Sequence, residues 1–241
     1  VWGGMGAALV TVLAVWTAGW WADRHLHASW LLRIFNFAAQ RDAGANTVLS
    51  QRLQRTAHRL AAELRQGQWD EVLVVGFSVG SVLGLQLVDA FASQAQHEPD
   101  LMGRLSLVTL GNCLPLFALM PQSKDVRAAL GRLSNHSGLY WADISSPSDS
   151  VSFALCDVVG LSLREDATQW RTQPACNPRA MCSPRFHKLF RPRSYALIRR
   201  NKMRMHMQYL MSGELPGAYD YFEMVAGWRS LRQYLEDQLI R

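Results

Sequence analysis

Residues 70–81, Asp-Glu-Val-Leu-Val-Val-Gly-Phe-Ser-Val-Gly-Ser, constrain the fold of this chain more than any other stretch. An apolar run of strand length ends in Gly76-Phe77-Ser78-Val79-Gly80 and passes directly into apolar residues at helical spacing. A strand that turns sharply into a helix through G-x-S-x-G is the setting a nucleophile elbow needs. The reason is steric. The serine occupies a strained backbone position, and strand and helix cross so closely that the residues two places either side must be small. Gly76 and Gly80 meet that demand. Ser78 Oγ is then expected to stand clear of the strand's C-terminal end, with the Val79 amide facing the same space.

The 241 residues suffice for one large α/β domain with a sizeable core, and with 49% hydrophobic residues the chain is no disordered tail. A net charge of +6 suits an anionic membrane surface, and nothing else in the sequence supports nucleic-acid binding. Cys113, Cys156, Cys176 and Cys182 form no C-x-x-C or Cys/His pattern, so no metal is expected. Cys113 and Cys156 lie in apolar segments and read as core thiols. A Cys176–Cys182 bridge stays open, although a reducing compartment is the favoured setting. The chain starts at Val1 rather than at methionine, which reads as a fragment or a trimmed product.

Residues 1–22 carry no charge. As a helix they would extend roughly 33 Å, about the thickness of a bilayer core. Trp16, Trp20 and Trp21 cluster at the far end like an interfacial aromatic belt. A membrane helix is therefore expected over residues 1–22, with residues 1–28 as the membrane-like segment and its flank, against the alternatives of a buried core helix or a signal peptide. No basic n-region or small-residue cleavage site is visible. Arg24, Arg33 and Arg41 follow the apolar segment and none precedes it, which by the positive-inside rule puts the remainder in the cytoplasm, beside an inner membrane.

The second domain is expected over residues 29–241. Leu31–Phe37 is a short apolar run with some strand character. Residues 47–66 place Leu49, Leu53, Ala57, Leu60, Ala61 and Leu64 at helical spacing, with Asn46 as N-cap and Gly67 past the end. The elbow strand follows, then a helix from Val79 to about Ala95 that buries Val82, Leu83, Leu87 and Phe91. Leu105–Leu110 is a strand closed by Gly111, Lys124–Leu133 a helix, and Leu139–Ile144 a further strand. Alternating helix and strand without repeats imply right-handed crossovers and a mainly parallel α/β sheet with helices on both faces. Residues 160–200 hold four prolines and little periodicity and read as an irregular insertion, strongly basic from Arg185 to Arg204. That basic stretch is either a solvated face or an anionic-lipid contact. Helices are expected again from Arg199 to Met211 and from Trp228 to Ile240.

A serine becomes a nucleophile at neutral pH only beside a base, and the base needs a partner that fixes its tautomer. Asp149 is the leading acid. It lies in the Ser/Pro loop directly after Leu139–Ile144, at the sheet edge where ligand sites of open parallel sheets form. Asp143 lies inside that strand and should point away, and Asp157 is the second candidate. Three motifs, Gly76-Phe77-Ser78-Val79-Gly80, Ser146-Pro147-Ser148-Asp149-Ser150-Val151 and Met205-His206-Met207-Gln208-Tyr209-Leu210, give the chain a resemblance. From about residue 46 to 225 it resembles the α/β-hydrolase superfamily, especially lipase-like members and little-characterised membrane-associated bacterial hydrolases.

The resemblance implies the chain order serine, acid, histidine. Of seven histidines only His187 and His206 follow the acid, and His206, in an apolar setting, is the favoured base. Val79 N–H would supply half of an oxyanion hole. The second donor, often carried on a His-Gly loop after an earlier strand, has no counterpart here; it lies upstream of Val1 or is replaced by something after Leu31–Phe37. The expected function is a membrane-attached serine esterase without cofactor, acting on a hydrophobic ester such as an acyl-lipid. An acyltransferase or thioesterase would use the same Ser78, Asp149 and His206, and a non-catalytic membrane scaffold would keep only the fold.

Overall fold

Six consecutive buried residues, Leu105–Leu110, form the strand on which the sheet is built. In the structure, a computed structural model, residues 2–42, 47–121, 123–162 and 177–239 are described. The chain divides into two compact units, Val1–Thr47 and Val48–Arg241. The described residues 29–42, expected to open the α/β domain, fall in the first of these units.

The first unit holds α1 (Trp2–Leu26) and α2 (Ala28–Asp42). Within α1 the span Gly4–His25 has 22 residues, a mean hydropathy of 1.5 and no buried share. It is long and apolar enough to cross a membrane, a test that signal sequences near an N-terminus also pass. Its two threonine hydroxyls are satisfied internally: Thr11 donates to the Ala7 carbonyl at 2.9 Å and Thr17 to the Leu13 carbonyl at 2.8 Å. No hydroxyl in α1 therefore needs water. His27, at φ 53°, breaks α1 from α2, and Asp23 Oδ1 accepts the Ser29 amide at 2.8 Å across the break. Leu31–Phe37 is helical, not a strand. Leu31, Ile34 and Phe35 recur at helical spacing, and that period wins over local β-propensity.

The second unit begins with α3 (Thr47–Arg65), which buries Ala57, Ala61 and Leu64. Gly67, at φ +76°, ends it with its amide on the Leu64 carbonyl, as expected of a C′ glycine. The expected cap Asn46 lies outside the described residues. Then come β1 (Val72–Phe77), α4 (Gly80–Gln94), α5 (Pro99–Gly103), β2 (Leu105–Leu110), α6 (Leu114–Ala118), α7 (Lys124–Ser134), β3 (Tyr140–Ile144) and α8 (Val158–Ser162). After these, β4 (Ala180–Cys182) leads through a 3-10 turn at Phe186–Lys188 to α9 (Pro192–Arg200), α10 (Lys202–Met207), α11 (Tyr221–Ala226) and α12 (Leu231–Gln238).

The four strands pair in parallel in the order β1-β2-β3-β4. Parity sorts their side chains. Val108, Leu110, Ala142 and Ile144 join Met205, Tyr209, Tyr234 and Leu235 in one buried cluster. On the opposite face α4 lies so close that a Cβ on Gly84 would touch Leu107 and Val74 at 3.4 and 3.6 Å. Both faces are therefore covered, as a parallel sheet requires. The buried stripe of α4 is Val82, Leu85, Val88 and Phe91, with Leu83 and Leu87 only half-buried, because Gly84 rather than a leucine sits at the crossing.

Three expectations fail after residue 160. Part of the expected irregular insertion is a sheet strand, β4, too short to show a periodicity but fixed by pairing with Ala142–Ile144. The expected helix 199–211 is interrupted at Asn201, whose side chain accepts the Arg204 amide at 2.9 Å and starts α10 afresh. The last helix starts at Leu231, where Ser230 and Gln233 form a capping box. Cys113 and Cys182 are buried free thiols and Cys156 is half-buried; Cys176 lies outside the described residues.

Candidate active site

Ser78 has φ 54°, a left-handed conformation that costs a non-glycine residue about 1–2 kcal/mol. The surroundings hold it there. Its amide donates to the Leu110 carbonyl of β2 at 2.9 Å, and its carbonyl accepts the Ser81 amide at 3.0 Å and the Ser81 hydroxyl at 2.5 Å. A Cβ on Gly76 would stand 2.7 Å from Ser81 Cα, so glycine is obligatory at that crossing. Gly80 differs from expectation: a Cβ there meets nothing within 4 Å, because this residue opens α4 on its free side. Steric demand thus falls on one glycine of the motif.

Beyond the turn, the amide of Val79 lies at the start of α4, where N–H groups have no carbonyl four residues back. It can face an anion.

His206 is carried on α10, 1% exposed, its ring 4.8 Å from that of Phe77. Its Nε2 lies 2.8 Å from Ser78 Oγ and its Nδ1 2.8 Å from Asp149 Oδ2. Asp149 is equally shut off from water, and its other oxygen accepts the Val151 amide at 3.0 Å. With the carboxylate oxygens accepting, Nδ1 carries the proton and Nε2 presents its lone pair to the hydroxyl. Ser78, His206 and Asp149 are thus brought together by three separate elements: the β1–α4 turn, the short helix α10 and the loop after β3.

The alternatives stand apart. Asp157 accepts the Gly160 amide at 2.9 Å at the start of α8. His187, exposed in the 3-10 turn, packs edge-on against Tyr195. Asp143 points away from Ser78, as expected, and receives bonds from Thr109 Oγ1 (2.6 Å), Asn112 Nδ2 (2.8 Å) and Ser145 Oγ (3.0 Å). Burial pushes its carboxyl up to about 6 despite those three donors.

Three supporting residues had no signal that pointed to a role at the site. Tyr209 OH accepts the Ser146 amide at 2.8 Å and so pins the loop that carries Asp149. Gly111, at φ +50°, leaves room for that ring, since a Cβ would stand 2.6 Å from Tyr209 Cε2. Cys113 Sγ lies 3.7 Å from Ser78 Oγ, and its amide donates to Ser81 Oγ at 3.3 Å. Burial pushes the Cys113 thiol up, so it stays protonated at neutral pH and is a weak neighbour rather than a second nucleophile. A Gly-Asn-Cys run directly after a buried strand was the available clue.

Among the described residues no group of three or more His, Cys, Asp or Glu is placed to hold a metal ion. β1 also has no strand on its other side among those residues, so the expected second oxyanion donor is not placed by the sheet. No family model, curated protein or solved structure matches the chain. The fold and site together define an α/β protein with a serine–histidine–aspartate hydrogen-bond chain at the C-terminal edge of its sheet.

Proposed function

We propose that this chain is a serine hydrolase of the α/β-hydrolase type that cleaves a carboxylic ester through an acyl-enzyme. The observation that carries the proposal is the unbroken sequence Ser78 Oγ, His206 Nε2, His206 Nδ1, Asp149 Oδ2, with both hydrogen bonds at 2.8 Å on a strained elbow. Ser78 Oγ attacks the ester carbonyl carbon while its proton passes to His206 Nε2. The imidazolium so formed is held by the buried Asp149 carboxylate. The oxyanion of the tetrahedral intermediate faces the Val79 N–H, which supplies one donor of the hole. Collapse expels the alcohol, protonated by His206 Nε2–H, and leaves the acyl group on Ser78. Water, deprotonated by the same nitrogen, then attacks the acyl-enzyme and frees the acid.

A hydrophobic substrate is supported by exposed apolar side chains on the segments around the site. Leu119 follows α6, Phe153 and Leu155 follow the Asp149 loop, and Met207 adjoins His206. An acyl-lipid supplied from a bilayer fits them, with the Gly4–His25 helix as the anchor and the enzyme unit on the cytoplasmic side, where Arg24, Arg33 and Arg41 follow that helix. No cofactor takes part.

A fluorophosphonate probe applied to the full chain is the test. Wild type should be labelled on Ser78, and Ser78→Ala should be silent while keeping its far-UV circular dichroism. Equal labelling of the variant, or no labelling of a folded wild type, removes the hydrolase reading.

A further inference from the structure

The loop that carries Asp149 lines a cavity of about 600 Å³ whose lining includes neither Ser78 nor His206. Four basic side chains from two stretches of chain line it: Arg185 before the 3-10 turn and His187 within it, then Arg199 at the end of α9 and Lys202 at the start of α10. Its lining holds no carboxylate. Asp149 sits in the middle of one wall by sequence, but it is buried and both its oxygens are engaged, on His206 and on the Val151 amide.

Some arginines elsewhere are paired: Arg65 lies 2.6 Å from Glu98, Arg132 lies 2.7 Å from Asp89, and the half-buried Arg229 pairs with Glu223 and Asp237. Among the described residues, Arg185, Arg199 and Lys202 have no ion-pair partner. Of the arginines of α9, Arg199 lines the cavity, and Arg193 and Arg200 do not. Cations from two stretches of chain that share one cavity without a carboxylate repel one another, and an anion between them relieves that repulsion.

The neutral lining narrows the choice of anion. Ser146 and Ser148, bonded to each other at 2.8 Å, form one wall, with Ser150, Ser183 and Tyr195 around them. These hydroxyls and the two guanidinium forks offer donors from all sides, more than the two coplanar oxygens of a carboxylate can accept. A phosphate has three terminal oxygens in tetrahedral directions and a charge near −2 as a monoester. The remaining volume accommodates the polar body to which it is attached. We propose that this cavity is a recognition site for a phosphomonoester, either the headgroup of a phosphatidic-acid-like lipid or a soluble phosphorylated polyol. The site does not depend on the hydrolase reading. It is nevertheless built from the residues that flank Asp149 and from the helical turn that precedes His206, so its occupant braces the acid loop against the base helix.

Hydrogen–deuterium exchange on the full chain tests this in two arms. In neutral detergent, glycerol 3-phosphate and inorganic phosphate are titrated against sodium chloride at matched ionic strength, which removes simple screening. In the second arm the chain sits in phosphatidylcholine nanodiscs with or without ether-linked phosphatidic acid, which cannot be hydrolysed. Protection of peptides covering 146–151 and 199–206 is expected in at least one arm. Protection only in the nanodiscs assigns the lipid headgroup, and protection only by the soluble compounds assigns a phosphorylated polyol. The triple variant Arg185→Gln, Arg199→Gln, Lys202→Gln removes the charge of exposed side chains that make no ion pair among the described residues. It should weaken binding about tenfold or more, the size expected on losing charge-assisted bonds. No protection in either arm, protection elsewhere in the chain, or undiminished binding by the triple variant overturns the proposal. Because fluorophosphonate labelling of Ser78 is read separately, failure here leaves the hydrolase reading standing, and the reverse.

Discussion

The end of β3 and the loop beyond it carry two carboxylates six residues apart, equally buried and held in opposite ways. Asp143 lies in sheet register with Thr109, so its neighbours are fixed by strand pairing: one threonine hydroxyl, one asparagine amide and the Ser145 hydroxyl. Among the described residues no cation bonds to it, and desolvation wins over three neutral donors. Asp149 has left the sheet. Its loop reaches over the strand ends to a histidine 57 positions later in the chain, which in turn reaches a hydroxyl. Burial of an acid therefore says little about chemistry. What separates the two is whether the partner can itself take and pass on a proton.

Substitution should separate them most sharply in turnover. His206→Ala and Asp149→Asn should each reduce kcat/KM on an activated ester by roughly 10³-fold or more, as expected for members of one relay. Asp143→Asn should stay within about tenfold of wild type, since the loss of a supporting bond acts only through geometry. Steady-state kinetics on the three variants decides it, and an Asp143→Asn loss matching that of Asp149→Asn would collapse the distinction.

Stability against pH gives the next largest effect. The Asp143 carboxyl is raised in the folded chain from 3.8 to about 6, so between those values the folded state holds a proton that the unfolded state has released. Stability falls as pH rises through that window and is flat on either side, by about 3 kcal/mol for a shift of this size. Denaturant titrations should show this decline in wild type relative to Asp143→Asn between pH 4 and 6. A difference between the two proteins that does not change with pH would refute the assignment.

Tyr209 offers the smallest and most selective probe. Its hydroxyl touches the Asp149 loop through Ser146 N and makes no bond to Asp143. Tyr209→Phe should cost about 1 kcal/mol, lower kcat several-fold, and leave the Asp143 titration where it was. A shift of that titration in Tyr209→Phe would show that the two clusters act as one network.

How much of this was legible beforehand differs from residue to residue. The elbow, β2 and β3 could be read because each is a short apolar run bounded by glycine, serine or asparagine, and such patterns are local. Asp149 could be read because it follows a strand within a few residues. His206 followed from chain order, not from its surroundings. β4 and the break at Asn201 could not be read: three residues carry no period, and a cap matters only once the preceding helix has ended elsewhere. The requirement for Gly76 but not Gly80 was also hidden, since G-x-S-x-G treats the two alike while only Gly76 faces Ser81 across the crossing.

By itself the sequence determined the alternation of strand and helix, the serine at a strained turn, and the single long apolar helix at the start. These depend on contacts between residues close in the chain, whose periodicity the side chains write directly. The tertiary structure alone decided which glycine is obligatory, that Tyr209 and Gly111 hold the acid loop, and that cations from two stretches of chain meet the Ser146–Ser150 loop in one cavity. Those outcomes depend on pairs separated by tens of residues. Such pairs become neighbours only after the strands have chosen their order, and no local pattern records that choice.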